Sequence, residues 1–268
     1  MILFYQLLLG VILSGGFLVF AFFLRLLTFD GCLVAWILGT LIIGFGPWYS
    51  IFLVGFFFLS SGSIHLLKTL LFIKKEPLSS DTTRNARQVF ANIFPAVSFL
   101  IVYSVTGSFS CLLAFVVGIS GATSDTWASE IGTLASKRPR SILTGAKLPT
   151  GLSGGISPLG TFASLLGASA ISFLFVFCLF LTGTTIDALA KIFVTCTVFG
   201  FLISIFDSLL GALFQVRYQC TFCNQLTDAP YHHGLPTKKV KGITWMTNNW
   251  VNFFSNLLGI LFFLVFTH

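Results

Sequence analysis

Eight apolar runs take up most of this chain of 268 residues, and they limit what it can fold into. The runs lie at about 2–24, 32–45, 48–66, 89–105, 109–123, 155–182, 189–215 and 250–267. A helix needs roughly 20 apolar residues to cross the hydrocarbon core of a bilayer, and several runs reach or approach that length. Charged residues make up only 9% of the chain, against about a quarter of an average soluble domain. We therefore expect an all-α polytopic membrane protein, a single domain over residues 1–268 with about eight transmembrane or re-entrant helices.

The cations fall in alternate connections between these runs. They occur at Arg25, from Lys68 to Arg87, from Lys137 to Lys147 and from Arg217 to Lys241, whereas the connections around Pro47, around Gly107 and at 183–188 carry none. Cytoplasmic loops of membrane proteins carry an excess of Lys and Arg. We therefore expect the charged loops to be cytoplasmic and both termini to lie outside. Two pairs of runs, 32–45 with 48–66 and 89–105 with 109–123, could each form a re-entrant hairpin instead, because neither change would move a charged loop.

The formal net charge of +7 raises the question of nucleic acid binding. No basic amphipathic helix or RNA-binding signature accompanies the charge, and the cations of a membrane protein mainly set its orientation. We therefore expect membrane lipids around the protein and no nucleic acid partner. The sequence does not indicate an oligomeric state.

One polar stretch interrupts the apolar sequence, and we call residues 118–160 the polar cassette. Asp125 and Glu130 lie near its start, cations as far as Lys147 follow, and a run rich in glycine and serine ends it. No P-loop, zinc-protease or serine-hydrolase signature is present. Carboxylates, cations and glycines suit phosphoryl or nucleotidyl transfer, in which one or two carboxylates and the substrate phosphates hold Mg²⁺.

The end of the polar cassette has the features of a phosphate-binding loop. Gly151, Gly154 and Gly155 could turn successive backbone N–H groups toward a phosphate. The helix that begins near Ile156, next to Ser157, would add the positive end of its dipole. We therefore expect this loop to bind a substrate or nucleotide phosphate.

Another carboxylate, Asp207, lies inside an apolar run, where an ionised group is costly unless it is paired or faces a polar cavity. Polar and small residues of the last run share one helical face at three- and four-residue spacing: Asn248, Asn252, Ser255, Asn256 and Gly259. This face could supply interhelical hydrogen bonds or the wall of a site opposite Asp207. On an unbroken helix, Asp125 and Glu130 would point about 140° apart. Asp125 and Asp207 are therefore the preferred pair of Mg²⁺ ligands.

Arg84, Asn85 and Arg87 precede the fourth apolar run. An arginine at the start of a helix is often a topology anchor. A guanidinium also binds phosphate oxygens through paired donors, so these residues are alternatively an anion clamp.

The last charged loop carries Cys220 and Cys223, followed by His232 and His233. Two thiolates and two imidazoles could bind zinc tetrahedrally. The separation between the cysteines and the histidines is, however, shorter than in a standard zinc finger, and adjacent histidines rarely bind one ion together. Zinc is therefore a secondary expectation for this loop.

Several motifs resemble a known family when they are taken in chain order. They are Arg84-Asn85-x-x-Gln88-Val89-x-x-Asn92, the run SDTWASEIG from Ser124 to Gly132, Lys147-Leu148-Pro149, Gly154-Gly155-Ile156-Ser157, the run DSLLGA from Asp207 to Ala212, and Asn248-Asn249-x-Val251-Asn252. This order resembles the family of integral membrane proteins that includes transmembrane protein 19 and plant phytyl-phosphate kinase. Leu152 stands where that family usually shows Thr in a Pro-x-Gly-Thr-x-Gly-Gly pattern, which removes a possible phosphate or metal contact. The Cys-His loop is not part of the pattern.

The resemblance implies a polytopic kinase that uses a nucleoside triphosphate, CTP in the plant enzyme, to convert an isoprenoid lipid monophosphate to the diphosphate. The expected catalytic residues are Asp125, Glu130, Lys147 and Asp207, with Mg²⁺ on Asp125 and Asp207. The expected substrate and nucleotide contacts are Arg84, Asn85, Arg87, Asn92, Gly151, Gly154, Gly155, Ser157, Asn248 and Asn252. The alternative is an ion-coupled transporter or lipid translocator that binds an ion or head group at Asp207, although no inverted repeat supports it.

Overall fold

The structure is a computed structural model that describes residues 2–23, 26–72 and 83–267. Within these residues it contains eight helices: α1 (Ile2–Phe23), α2 (Phe29–Phe45), α3 (Ser50–Phe72), α4 (Ala86–Thr106), α5 (Phe109–Gly132), α6 (Pro158–Leu181), α7 (Ile186–Leu213) and α8 (Asn248–Thr267). Seven of them are long and apolar enough to cross a membrane, and α2 is a shorter apolar helix. The predicted all-α membrane architecture is confirmed. Helices α3, α4 and α5 each have the length of a full crossing, which favours separate spans over re-entrant hairpins.

The strands are short and lie in the connections between helices. They are β1 (Arg140–Ser141), β2 (Gly155–Ile156), β3 (Arg217–Gln219), β4 (Leu226–Thr227), β5 (Tyr231–His232), β6 (Leu235–Pro236) and β7 (Lys238–Lys241). Strands β1 and β2 pair within the polar cassette. Between α7 and α8, β3 lies between β4 and β7, while β5 and β6 form a separate hairpin. We call residues 217–241 the β-subdomain.

Helix α5 forms the centre of the bundle, where it packs against α3, α4, α6, α7 and α8. Small residues allow these close approaches, because a larger side chain would hold the backbones apart. A Cβ at Gly121 would lie 2.5 Å from Cδ1 of Ile203 in α7, and one at Gly167 in α6 would lie 3.1 Å from the Thr123 carbonyl oxygen. The Ser124 and Ser164 hydroxyls bridge α5 and α6 at 2.7 Å. The centre is therefore held by backbone proximity as well as by apolar contact.

The start of α4 is fixed by a capping box and by a backbone bridge. The Asn85 side chain accepts from the Gln88 backbone N–H at 3.1 Å, and the Gln88 side chain accepts in return from the Asn85 N–H at 3.0 Å. Such a box satisfies two helix donors that would otherwise have no partner. Arg84 donates its N–H to the Leu26 carbonyl, and its own carbonyl accepts from Thr28 N–H, each at 3.1 Å. These bonds hold Arg84 beside the connection between α1 and α2.

Contacts between charged connections show that these connections meet at one end of the bundle. Lys68 near the end of α3 lies 3.0 Å from Glu130 near the end of α5. Arg217, after α7, donates to the Ser153 carbonyl before α6 at 2.6 Å. This grouping agrees with the alternating charge pattern, although Arg25, Lys74 and Lys75 lie outside the described residues. The cytoplasmic location of this end remains a prediction.

Cysteine labelling in intact vesicles tests the predicted orientation. The labelling uses a parent variant in which Cys111 and Cys223, the two partly exposed native cysteines, are replaced by serine. Thr144→Cys and Lys239→Cys should react with an impermeant maleimide only from the cytoplasmic side, because both lie in cation-rich connections. Thr185→Cys, in the connection without a cation between α6 and α7, is the matched control and should react only from the opposite side. Reaction of Thr144→Cys and Lys239→Cys from different sides would contradict the arrangement.

Candidate active site

The charged end of the bundle contains a polar cavity of about 320 Å³. Its lining includes Arg84, Gln88 and Asn92 from the start of α4, Asp125 and Glu130 from α5, the loop 150–157, Asp207 from α7, and Asn248 and Asn252 from α8. The cavity forms because α5 and α7 end where α4, α6 and α8 begin. Residues far apart in the sequence, each near a helix terminus, are thereby brought to one volume.

Two carboxylates, Asp125 and Asp207, lie on this cavity and are close enough to interact electrostatically. Ser255 donates to Asp207 Oδ2 at 2.9 Å. The Asn252 side-chain nitrogen donates to the same oxygen at 3.1 Å, in the amide orientation in which this nitrogen faces only hydrogen-bond acceptors. Neither carboxylate takes part in the ion pairs found within residues 2–23, 26–72 and 83–267. Two acidic groups that share a cavity and have no ion-pair partner among the described residues form an arrangement that a divalent cation would stabilise.

The polar face of α8 packs against three other helices. Asn252 lies 2.9 Å from the Asn92 side chain of α4, and Asn256 donates to the Gly118 carbonyl of α5 at 3.0 Å. With the bonds to Asp207, this face joins α4, α5 and α7. Asn256 therefore connects helices, while Asn248 and Asn252 line the cavity; their role in a site remains a prediction.

Glu130 also lines the cavity but has partners of its own. Its carboxylate oxygens lie 3.0 Å from Lys68 Nζ and 3.2 Å from His65 Nδ1, both on α3. Helix α5 is continuous from Phe109 to Gly132, so Glu130 points away from Asp125 as helical geometry predicts. The structure thus places Glu130 in an ion pair with α3 rather than beside the two aspartates.

Arg84 lines the cavity, and its guanidinium packs over two aromatic rings. Its Cζ lies 5.2 Å from the ring centre of Phe57 and 5.7 Å from that of Phe58. Burial lowers the pKa of Arg84 to about 10, and the charge of Glu130 acts in the opposite direction. Arg84 therefore stays cationic at neutral pH and can meet an anion in the cavity.

Two residues of the β-subdomain bond to the loop 150–157, which lines the cavity and which we call the glycine loop. The Ser153 N–H donates to Asp228 Oδ2 at 2.9 Å, and the Ser153 carbonyl accepts from Arg217 at 2.6 Å. Gly154 has a φ of +76° and lies against Ala212 of α7, where a Cβ would come within 2.5 Å of the Ala212 Cβ. Leu152, at the position of the family threonine, is buried and lines the cavity. Its side chain supplies no polar contact there.

The remaining predicted site residues fall into four groups. Gly151, Gly154, Gly155 and Ser157 line the cavity, and Ser157 also caps α6 by accepting from Gly160 N–H at 3.1 Å. Lys147 is exposed beside Arg140, and Asn85 is occupied in the cap of α4; neither is among the lining residues. Arg87 lies instead in an apolar groove between α4 and α8, with Phe90, Trp250 and Phe253. Cys220, Cys223 and His232 come together in the β-subdomain, without His233.

Sequence patterns did not point to several residues that complete the site. His65 and Lys68 hold Glu130 from α3, and Arg217 and Asp228 hold Ser153 from the β-subdomain. Lys68 and Arg217 were visible only as cations in charged connections. Their partners are 62 and 64 residues away in the chain, beyond any local periodicity.

Comparison with known proteins decides the family. The family model described as integral membrane protein DUF92 matches residues 12–260, which include every residue of the cavity. This chain belongs to the DUF92 family. The membership that the motif order predicts is thereby confirmed.

Two relatives of this DUF92 protein have comparable identity. One, named "Uncharacterized membrane protein MJ0933", from Methanocaldococcus jannaschii, is 33% identical over 192 residues, 71% of this chain and 76% of that protein. The other, "Protein PGR" from Arabidopsis thaliana, is 33% identical over 153 residues, 54% of this chain. The match covers 52% of Protein PGR, about half its length. No solved structure matches the chain significantly.

Proposed function

We propose that this DUF92 protein is a membrane-embedded kinase that transfers a phosphoryl group from a nucleoside triphosphate, CTP by family resemblance, to an isoprenoid lipid monophosphate. The observation that carries the proposal is the pair Asp125 and Asp207, which share a polar cavity under a glycine loop and form no ion pair within the described residues. Phosphoryl transfer relies on positioning and on neutralising charge, which is what such a cavity offers.

The donors of the cavity fit Mg²⁺. This ion prefers oxygen ligands, usually one or two carboxylates together with substrate phosphates. Asp125 and Asp207 supply the carboxylates, while Asn252 and Ser255 fix the orientation of Asp207. Bound there, the ion would neutralise charge between the nucleotide phosphates. Asp125 and Asp207 are the residues that we expect to hold it.

The other lining residues suit the binding of phosphates. The N-terminal end of α6 lies behind the glycine loop and contributes a positive dipole end. Arg84, which stays cationic at neutral pH, also lines the cavity. A lipid monophosphate is already anionic, so its oxygen can attack the terminal phosphorus without a general base. The residues of the chain then need only align the two phosphates and balance their charge.

The apolar groove between α4 and α8 offers a place for the isoprenoid chain. Its volume is about 690 Å³, and its lining combines Phe90, Trp250 and Phe253 with the cation Arg87. An apolar chain would pack on the aromatic rings while its charged end lies toward Arg87. The same two helices present Gln88, Asn92, Asn248 and Asn252 to the cavity. The groove therefore lies on two of the helices that also line the polar cavity.

Truncation of Trp250 tests this lipid groove. We expect Trp250→Ala to raise KM for the lipid monophosphate on the order of tenfold, because an aromatic contact is worth about 0.5–1.5 kcal/mol beyond the area it buries and about 1.4 kcal/mol corresponds to tenfold. KM for the nucleotide should not change. Trp48→Ala is the matched control, since Trp48 is also exposed but lies in the connection between α2 and α3. An equal rise of KM in both variants would contradict a specific groove.

The activity itself is tested with purified protein in detergent. Labelled CTP or ATP is supplied with phytyl or geranylgeranyl monophosphate and Mg²⁺, and the label should appear in a lipid diphosphate. Variants Asp125→Asn and Asp207→Asn serve as inactive controls for contaminating kinases. The position of the cavity at one end of the bundle supports an enzyme over a transporter, which must open its site to both sides. Failure with all nucleotides and chain lengths, combined with lipid or ion flux in proteoliposomes, would overturn the proposal.

A further inference from the structure

A cluster of metal-binding side chains lies outside the cavity, in the β-subdomain. The sulfur atoms of Cys220 and Cys223 and a ring nitrogen of His232 lie within 4.8 Å of one another. Cys223 Sγ is 3.6 Å from His232 Nδ1. Ligand atoms around one tetrahedral zinc ion lie about 3.5–3.8 Å apart, given bond lengths near 2.3 Å to sulfur and 2.0–2.1 Å to nitrogen. The spacing of Cys223 and His232 thus matches that of two ligands of one zinc ion, and Cys220 Sγ lies within 4.8 Å of both.

The backbone around Cys220 is shaped to present both sulfur atoms. Strand β3 leads into Cys220 and β4 leads away, and between them the Cys220 carbonyl accepts from Asn224 N–H at 3.0 Å. Asn224 has a φ of +56°, which closes this tight turn. The Phe222 N–H points at Cys220 Sγ at 3.4 Å, so a backbone donor stabilises negative charge on the sulfur. The hairpin of β5 and β6 brings His232 to the same point.

We propose that Cys220, Cys223 and His232 supply three of the four ligands of a zinc ion that holds the β-subdomain together. This segment has strands of two to four residues, and β7 is exposed throughout. A unit of this size needs a disulfide, a metal or a docking partner to stay ordered. Zinc bound to thiolates is suited to a structural role because it has no redox chemistry of its own.

Residues next to the zinc site in the chain connect the β-subdomain to the cavity. Arg217 lies at the start of β3, just before Cys220, and Asp228 lies between Cys223 and His232. Both side chains bond to the Ser153 backbone in the glycine loop: Asp228 accepts from its N–H, and Arg217 donates to its carbonyl. Asp228 and Arg217 can make these bonds only while the β-subdomain keeps its position. Zinc would therefore keep the glycine loop in place without touching any substrate.

Metal analysis of the full-length protein, purified in detergent without chelators, tests the site. We expect about one zinc ion per chain, and Co²⁺ in its place should show thiolate-to-cobalt charge-transfer absorption. Cys220→Ser and His232→Asn should lose the metal. His233→Asn and Cys111→Ser are matched controls that should retain it, because His233 is outside the cluster and Cys111 lies in α5. Asn suits position 233 because φ there is +54°.

Hydrogen exchange tests the connection to the glycine loop. Removal of zinc should speed exchange of amides in residues 217–241 and also in 150–157, while α1 and α2 remain unchanged. Absence of bound zinc and cobalt, a disulfide between Cys220 and Cys223, or loss of metal in His233→Asn alone would overturn the site. Unchanged exchange in 150–157 would overturn its connection to the loop. Neither measurement uses nucleotide or lipid, so the outcome is independent of the proposed kinase activity.

Discussion

The Asp207→Asn variant should be folded but almost inactive as a kinase. Asparagine keeps the shape of the side chain and can still accept from Ser255, but it lacks the charge that a hard cation requires. We expect the rate to fall by more than about 100-fold, since even groups that only support metal ligands are worth about 10–100-fold. Phosphoryl transfer measured at saturating nucleotide and lipid gives the comparison.

Thermal unfolding separates a ligand role from a structural role for Asp207. Saturating Mg²⁺ and nucleotide should stabilise the wild type, by about 2.7 kcal/mol at a concentration 100 times Kd, and should not stabilise Asp207→Asn. Without metal the variant should be at least as stable as the wild type, because one of two neighbouring, half-buried carboxylates has been neutralised. Asp187→Asn, an exposed change in the first turn of the same helix, is the control. Equal stabilisation of wild type and Asp207→Asn by Mg²⁺ would contradict the assignment.

The Gly154→Ala variant should lose both stability and activity. A residue with a side chain at a φ of +76° costs roughly 1–2 kcal/mol. The added Cβ would also lie 2.7 Å from Ala212 Cα and 2.8 Å from Ala212 N, so backbone atoms rather than a flexible side chain must move. Overpacking of this kind adds about 1–3 kcal/mol. The displaced loop should lower the transfer rate by about 100-fold, the cost of a shift near 1 Å at a reacting centre.

Gly183→Ala provides the matched control for this steric prediction. Gly183 has a φ of +86°, but no atom lies within 4 Å of its expected Cβ, and it is in the connection between α6 and α7. It should therefore show the conformational cost alone, with unchanged activity. Melting temperatures and transfer rates of the two variants are compared in the same detergent. If Gly154→Ala were no more damaging than Gly183→Ala, the glycine loop would not depend on its contact with α7.

The C-terminal end of α5 shows that hydropathy does not predict the full extent of a helix next to a polar cavity. The apolar run 109–123 predicts a helix of that extent, whereas α5 continues to Gly132 and carries Asp125 and Glu130 on its last turns. Hydropathy reports contact with lipid, but these turns line a polar cavity. The helix start expected near Ile156 was close to the observed one. Ser157 caps α6 and Pro158 is its first residue, a combination that favours helix initiation.

The sequence by itself determined the number of helices, the common end of the charged connections and the family. Each of these depends on patterns read along the chain: long apolar runs, alternating cations and ordered motifs. Only the tertiary structure distinguished the two arginines that precede and begin α4. Arg84 lines the cavity, whereas Arg87, three residues later in the chain, lies in the apolar groove with Phe90. The tertiary structure alone showed that Glu130 forms an ion pair with Lys68 and that the Ser153 N–H donates to Asp228. Local sequence sets which helices form, but the direction in which a helix faces depends on packing against distant segments, which no local pattern encodes.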